Sequence, residues 1–185
     1  MMIFKHAALQ FGIALIAFTL WAAADSWYLL TELAIANALS VLLAALAGVA
    51  LSTVIHEWGH YAGARLSDSA HTIPEKFGLF VYDFDYEKNS LRQFNIMSLA
   101  GQLGSWVTVF GLWWLIPMDN SGRLMLVCAA IGSAIFGGMI EWPVLRRSQH
   151  SGEPLKELGK IDKTVLKRSA IGGIGGAMLL WILAS

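Results

Sequence analysis

Five apolar runs dominate the chain, and they leave few folds open to it. They cover roughly residues 7–24, 33–65, 94–116, 124–145 and 170–184. A helix that crosses a bilayer needs about 20 consecutive, mostly apolar residues. The first four runs meet that length, and the fifth is short but flanked by Lys167 and Arg168. Only 14% of the 185 residues are charged, about half the share of an ordinary soluble domain. The runs therefore predict an integral, multi-pass membrane protein: all-α with a small β element and about five transmembrane helices. The net charge of zero argues against a nucleic-acid partner and leaves the lipid bilayer as the surrounding. A single cysteine, Cys128, excludes an intramolecular disulfide.

Cytoplasmic loops of such proteins collect Lys and Arg. With the N-terminus inside, alternation places Lys5, Arg65, Lys76, Lys88, Arg92, Arg146, Arg147, Lys156, Lys160, Lys163, Lys167 and Arg168 inside, and only Arg123 outside. The expected topology is N-terminus cytoplasmic and C-terminus outside. The first run can also be read as a signal peptide ending at Ala24, although its basic region is thin. Asp25 and Glu32 fall on the first outer loop, and Trp27 and Trp142 read as interfacial anchors. No repeat or second globular unit is visible, so residues 1–185 form one membrane domain. Two polar stretches lie on the inner side: 67–90, and 148–163 with a short surface helix.

The second run ends in His56-Glu57-Trp58-Gly59-His60. On a helix, positions i and i+4 share a face, so both imidazoles can bind one Zn2+ ion. The intervening Glu57 can then serve as general base toward a zinc-activated water. Three ionisable side chains in an apolar helix are costly unless they serve a function. Gly59 would let another element approach the helix beside the metal. The pair lies a few residues before Arg65, below the membrane surface rather than at its centre.

With this motif in a transmembrane helix, the chain resembles the site-2 protease family of intramembrane zinc metalloproteases. The order of the segments also matches, from Leu33 to Gly159. The resemblance implies a three-helix catalytic core over about 33–159, with a strand-rich segment at 67–90 between the first two core helices. It implies a bacterial inner membrane as the location and a transmembrane protein as the substrate, cut near the cytoplasmic face. Ala100-Gly101 stands where the family has a small-residue motif, with Gln102 in place of its usual proline. The family's Leu-Asp-Gly motif, which carries the third zinc ligand, does not occur.

A catalytic zinc site keeps three protein ligands, so a carboxylate is expected beside the two histidines. Glu141 ranks first. It lies near the inner end of the fourth run, between Gly137-Gly138 and Pro143, where the helix can break and expose the site. A salt bridge to Arg146 is its alternative role. Glu153 ranks second, although Ser151, Glu153 and Pro154 also read as an ordinary helix start. Asp162 ranks third. His71 reads as a surface histidine.

Residues 80–87 alternate, with Phe80, Tyr82, Phe84 and Tyr86 on one face and Val81, Asp83, Asp85 and Glu87 on the other. This predicts a strand, with a partner strand in the preceding His71–Phe77. Its edge can hold a substrate extended by strand addition. Phe80, Val81 and Tyr82 are the substrate-binding candidates there. Gln102 is another, through a hydrogen bond to the substrate backbone. Ser98, Gly101 and Ser105 form a small-residue face for helix packing, as do the glycines of 171–178.

The expectation is an HExxH-type zinc metallopeptidase. Two other classes use the same residues: a zinc-binding sensor or transporter, and a scaffold that binds helices without cutting them. A transporter calls for polar residues continuing to the outer face, where this chain has Ala, Leu, Val and Trp. A scaffold has no use for Glu57.

Overall fold

A computed structural model describes residues 2–78 and 80–184. Five long helices, each apolar enough to cross a membrane, carry the fold: α1 (Met2–Thr31), α2 (Ala34–Leu66), α3 (Leu91–Leu115), α4 (Ser121–Ser151) and, after the short α5 (Pro154–Leu158), α6 (Lys163–Ala184). Between α2 and α3 lie two-residue strands, β1 (His71–Thr72) and β2 (Asp83–Phe84), paired antiparallel with His71 opposite Phe84.

The helices extend past the apolar runs at seven of their ten ends. Local chemistry sets several of these boundaries. Ser90 caps α3 by accepting from Gln93 N, while the Gln93 side chain accepts from Ser90 N. This reciprocal capping box satisfies two donors that a helix start leaves unpaired. Asn120 caps α4 through Arg123 N. Gly152, at φ 71°, ends α4 in the left-handed conformation that glycine tolerates best.

Pro143 does not break α4. The expected opening at Gly137-Gly138 and Pro143 is absent, and the helix runs on for two further turns. Proline removes one backbone hydrogen bond. Packing of α4 against α2, α3, α5 and α6 outweighs that loss.

α2 and α4 form the centre of the bundle. α2 packs on α1, α3 and α4, and α4 also holds α6. Up to Ser52 the buried face of α2 is made of small residues: Ala36, Ser40, Ala44, Ala47, Gly48 and Ser52. Lipid tails are as apolar as leucine, so helices in a bilayer associate by close backbone approach rather than by water exclusion. A Cβ on Gly59 would lie 2.5 Å from the Ala100 carbonyl oxygen, and one on Gly132 2.6 Å from that of Gly173. Gly172, Gly173 and Gly176 of α6 are thus a packing face, whereas Gly175 is exposed. Large side chains such as Leu15, Ile16, Val107 and Trp114 instead point outward from the bundle.

Two polar ties lie at opposite ends. At the end holding the start of α4, Asp25 is buried and bound by Arg123 Nε (2.8 Å), Asn120 Nδ2 (2.9 Å) and Ser40 Oγ (3.3 Å). Asp25 is therefore a buried helical residue of α1, not a residue of the outer loop. At the basic end, Gln10 accepts from Trp58 Nε1 (2.9 Å) and donates to the Gly78 carbonyl (3.1 Å). His6 lies 3.0 Å from the Pro74 carbonyl. α1 thus pins the connection between β1 and β2 beside the HEWGH turn.

The regular strand expected over 80–87 shrinks to Asp83–Phe84. Alternation fails because Val81 and Tyr82 are both buried, while Phe80 is exposed. The aromatic and aliphatic side chains here pack downward on Phe94, Met97, Val144 and Leu145 instead of standing across a sheet. Asn89 closes the base of the hairpin by pairing both its amide groups with the backbone of Ala70 at 2.7 Å.

Candidate metal centre

His56 and His60 lie one turn apart on α2, with ring centroids 4.4 Å apart and rings nearly perpendicular. His60 is six residues from the helix end at Leu66, about 9 Å at 1.5 Å per residue. Glu141 comes from α4, which runs in the same sense as α2, with Gly122 against Ser40 and Gly48 against Leu126, and reaches the same depth. Its Oε1 lies 2.7 Å from His56 Nε2 and 3.1 Å from His60 Nε2, and the two Nε2 atoms are 3.0 Å apart. The histidine side chains are 13% exposed and that of Glu141 is 18% exposed, so the cluster is recessed but not sealed.

Hydrogen bonds fix which ring nitrogen faces inward. His60 Nδ1 lies 3.0 Å from the Met97 carbonyl, which can only accept, so Nδ1 carries the proton. The neutral ring then turns a lone pair at Nε2 toward Glu141 and His56. His56 Nδ1 is 3.0 Å from Ser105 Oγ, which leaves its Nε2 facing the same point. If Ser105 Oγ likewise accepts from His56 Nδ1, all three inward atoms are acceptors, and at these distances they repel one another. A proton relieves one pair; a cation relieves all three. Two imidazole nitrogens and one carboxylate oxygen, each able to supply one ligand atom within 4.8 Å of the others, fit a zinc-type donor set with positions left over.

α3 orients every member of this set. The Met97 carbonyl holds His60, Ser105 holds His56, and Gln102 Nε2 donates to Glu141 Oε2 at 3.0 Å. Such contacts behind metal ligands govern tautomer and affinity. The sequence marks Ser105 only as part of a packing face. Its signal is spacing: Ser98, Gly101, Gln102 and Ser105 share one helical face. Gly101 provides a bare backbone on which the His60 ring rests. Gly59 allows the approach of α3 that the motif reading anticipates.

Glu57 is buried, and among the described residues no hydrogen bond or ion pair engages its carboxylate. It is one residue from His56 and feels both histidines and Glu141 electrostatically. Tyr82 stands at the edge of the same region. Its ring lies 5.7 Å from that of Tyr61, and its phenol feels the charges of Glu57 and Glu141. Burial, then Tyr86 and these carboxylates, push its pKa well above the ordinary 10, so it remains a proton donor.

The other candidates are elsewhere. Glu153 is exposed at the start of α5 and pairs with Lys156 at 2.9 Å. Asp162 accepts from Val165 N at the start of α6. Glu141 is not paired with Arg146, which is exposed. His71 is partly buried, bonded to the Ser69 carbonyl and edge-on to Tyr61. Of the residues proposed to hold substrate, Val81 and Tyr82 face the core, Phe80 is exposed, and Gln102 is buried against Glu141.

Comparison of the chain with models of known protein families, with curated proteins and with solved structures finds no match.

Proposed function

We propose that this protein is a membrane-embedded zinc metallopeptidase that hydrolyses a peptide bond in or near a transmembrane helix of another protein, from the cytoplasmic side of a bacterial inner membrane. The observation that supports this most is the convergence of His56 Nε2, His60 Nε2 and Glu141 Oε1 within 3.1 Å of one another, with an uncommitted, buried Glu57 beside them. Zinc held by these three side chains would bring the pKa of a coordinated water to about 7 and polarise a scissile carbonyl.

The chain's own residues do the rest. Glu57 takes a proton from the attacking water and delivers it to the leaving nitrogen as the C–N bond breaks, giving one carboxyl and one amino terminus. Met97, Ser105 and Gln102 keep the three metal-facing groups in place throughout. Tyr82, protonated and near both carboxylates, is a donor available to the developing oxyanion. A substrate helix must unwind to be cut, because its carbonyls are hydrogen-bonded. The two-residue strand pair provides little edge for this, so exposed Phe80 is the docking position this reading assigns.

Glu57→Gln is the decisive variant. It should keep one zinc per chain and lose cleavage of a transmembrane substrate by at least about 100-fold, the lower bound of general-base contributions. Cleavage at the wild-type rate would refute the mechanism. A wild-type protein that takes up no zinc would favour a scaffold that binds helices without cutting them.

A further inference from the structure

Gln102 is 3% exposed, and its carboxamide is used at one end only. Nε2 donates to Glu141 Oε2 at 3.0 Å, whereas Oε1 is buried with no partner among the described residues. We infer that Gln102 is a positioning residue that holds Glu141 to the metal centre by a single oxygen. The inference rests on the proposed metal site at His56, His60 and Glu141.

The geometry supports it from three sides. The Glu141 oxygen facing both histidines is Oε1, and the one committed to Gln102 is Oε2. A carboxylate with both oxygens free can chelate; one with an oxygen bound to an N–H offers the other alone. Next, the amide orientation has one determinant. Turned end for end, Gln102 would set a carbonyl against a carboxylate, so the contact with Glu141 is kept although Oε1 goes unpaired. Finally, the carboxamide occupies a slot in α4 that two bare residues leave open. A Cβ on Gly137 would lie 3.3 Å from Gln102 Nε2 and 3.5 Å from His56 Cε1, and one on Gly138 3.7 Å from Gln102 Oε1. Gly137 and Gly138 stand four and three residues before Glu141, on its face of the helix. The choice of a neutral donor also matters. Lysine or arginine at position 102 would form an ion pair with Glu141 and compete with the metal for its charge, whereas an amide steers the carboxylate without neutralising it.

The test is cobalt(II) titration of the metal-free full chain in detergent, followed by visible absorption and thermal unfolding. Wild type should bind one cobalt per chain with the strong visible band of a low-coordinate site. Gln102→Met should bind cobalt about 10–100-fold more weakly, the usual effect of removing an outer partner of a ligand. Its band should weaken as Glu141 supplies both oxygens and the coordination number rises. Gly137→Ala, which crowds the slot without replacing Gln102, should shift the band in the same direction and serves if the first variant does not fold. Wild-type affinity and spectrum in either folded variant would overturn the inference while leaving the metal site standing. A wild type that binds no cobalt would overturn both.

Discussion

Arg123 Nε donates to Asp25 Oδ2 at 2.8 Å, across the end of the bundle remote from His56 and His60. The pair joins α1 to α4, and Ser40 adds α2 through its own bond to Asp25. Removing one member of a buried pair is costlier than the pair is worth, because the other charge stays behind. Asp25→Ala should lower stability by about 3 kcal/mol, the low end for a broken buried pair, since Asp119 still holds Arg123 from the exposed side. Asp119→Ala should cost under about 1 kcal/mol, as an exposed partner does. Thermal unfolding in detergent separates the two, and neither variant should lose metal. Equal losses would show that the buried contact carries nothing special.

Gly59 gives a second prediction, about helix approach. A Cβ there meets the Ala100 carbonyl at 2.5 Å, so α3 must move in Gly59→Ala. Overpacking of this kind costs about 1–3 kcal/mol. The shift would also carry Met97, Gln102 and Ser105 away from the candidate ligands His56, His60 and Glu141, so affinity for added zinc should fall with stability. Gly12 is the matched control. Nothing lies within 4 Å of a Cβ on it, and Gly12→Ala should be neutral or stabilising by up to about 1 kcal/mol. If the two alanine variants melt alike, close backbone approach is not what holds α2 to α3.

Periodicity decides which features are legible in the sequence. The five spans are runs of Leu, Ala and Val that need only length to be recognised. His56, Glu57 and His60 stand out by a spacing of four on one helix, and Glu141 as a lone acid at the matching depth. The strand over 80–87 fails because period two describes only the side-chain pattern. Val81 and Tyr82 join a core formed by Phe94 and Val144, distant in sequence, which overrides it. Asp25 is misplaced for a related reason: an acid at the edge of an apolar run looks like a loop residue until its partner is known. Arg123, the one basic residue assigned to that side, is the available hint. The Ser90–Gln93 capping box is legible as S-x-x-Q. The Met97 carbonyl is not, because any residue offers one.

A third prediction separates the acidic candidates for the metal. Glu141 Oε1 lies within 3.1 Å of both histidines, whereas Glu153 pairs with Lys156 on the surface. Glu141→Ala should remove zinc from the purified protein, with affinity down at least about 100-fold, beyond the 10–100-fold expected for outer contacts. Glu153→Ala should retain one zinc per chain and, as an exposed ion pair, change stability by under about 1 kcal/mol. Elemental analysis reads both. Zinc retained in Glu141→Ala but lost in Glu153→Ala would move the third ligand to the α4–α5 turn.

Glu157 sets the acid limit of the basic end. It is buried in α5 beneath Lys160 Nζ, 2.7 Å from each carboxylate oxygen, and Arg147 Nε at 2.8 Å. Lys160 first and Arg147 second hold its pKa below the ordinary 4.5 against the opposing effect of burial. A group whose pKa is depressed on folding binds fewer protons folded than unfolded. Its contribution is therefore complete above 4.5 and disappears as pH falls through the depressed value. Glu157→Gln, which imitates the protonated form, should melt below wild type by a constant margin from neutrality down to about pH 5. That margin should narrow below 4.5, and high salt should narrow it too, because both cations are about half exposed. Thermal unfolding of the two proteins across that range, compared at each pH, cancels the titration of every other group. A margin that stayed level or widened toward pH 3 would mean that Glu157 acts through packing, and that α5 is held to α4 by Leu158 rather than by its charge.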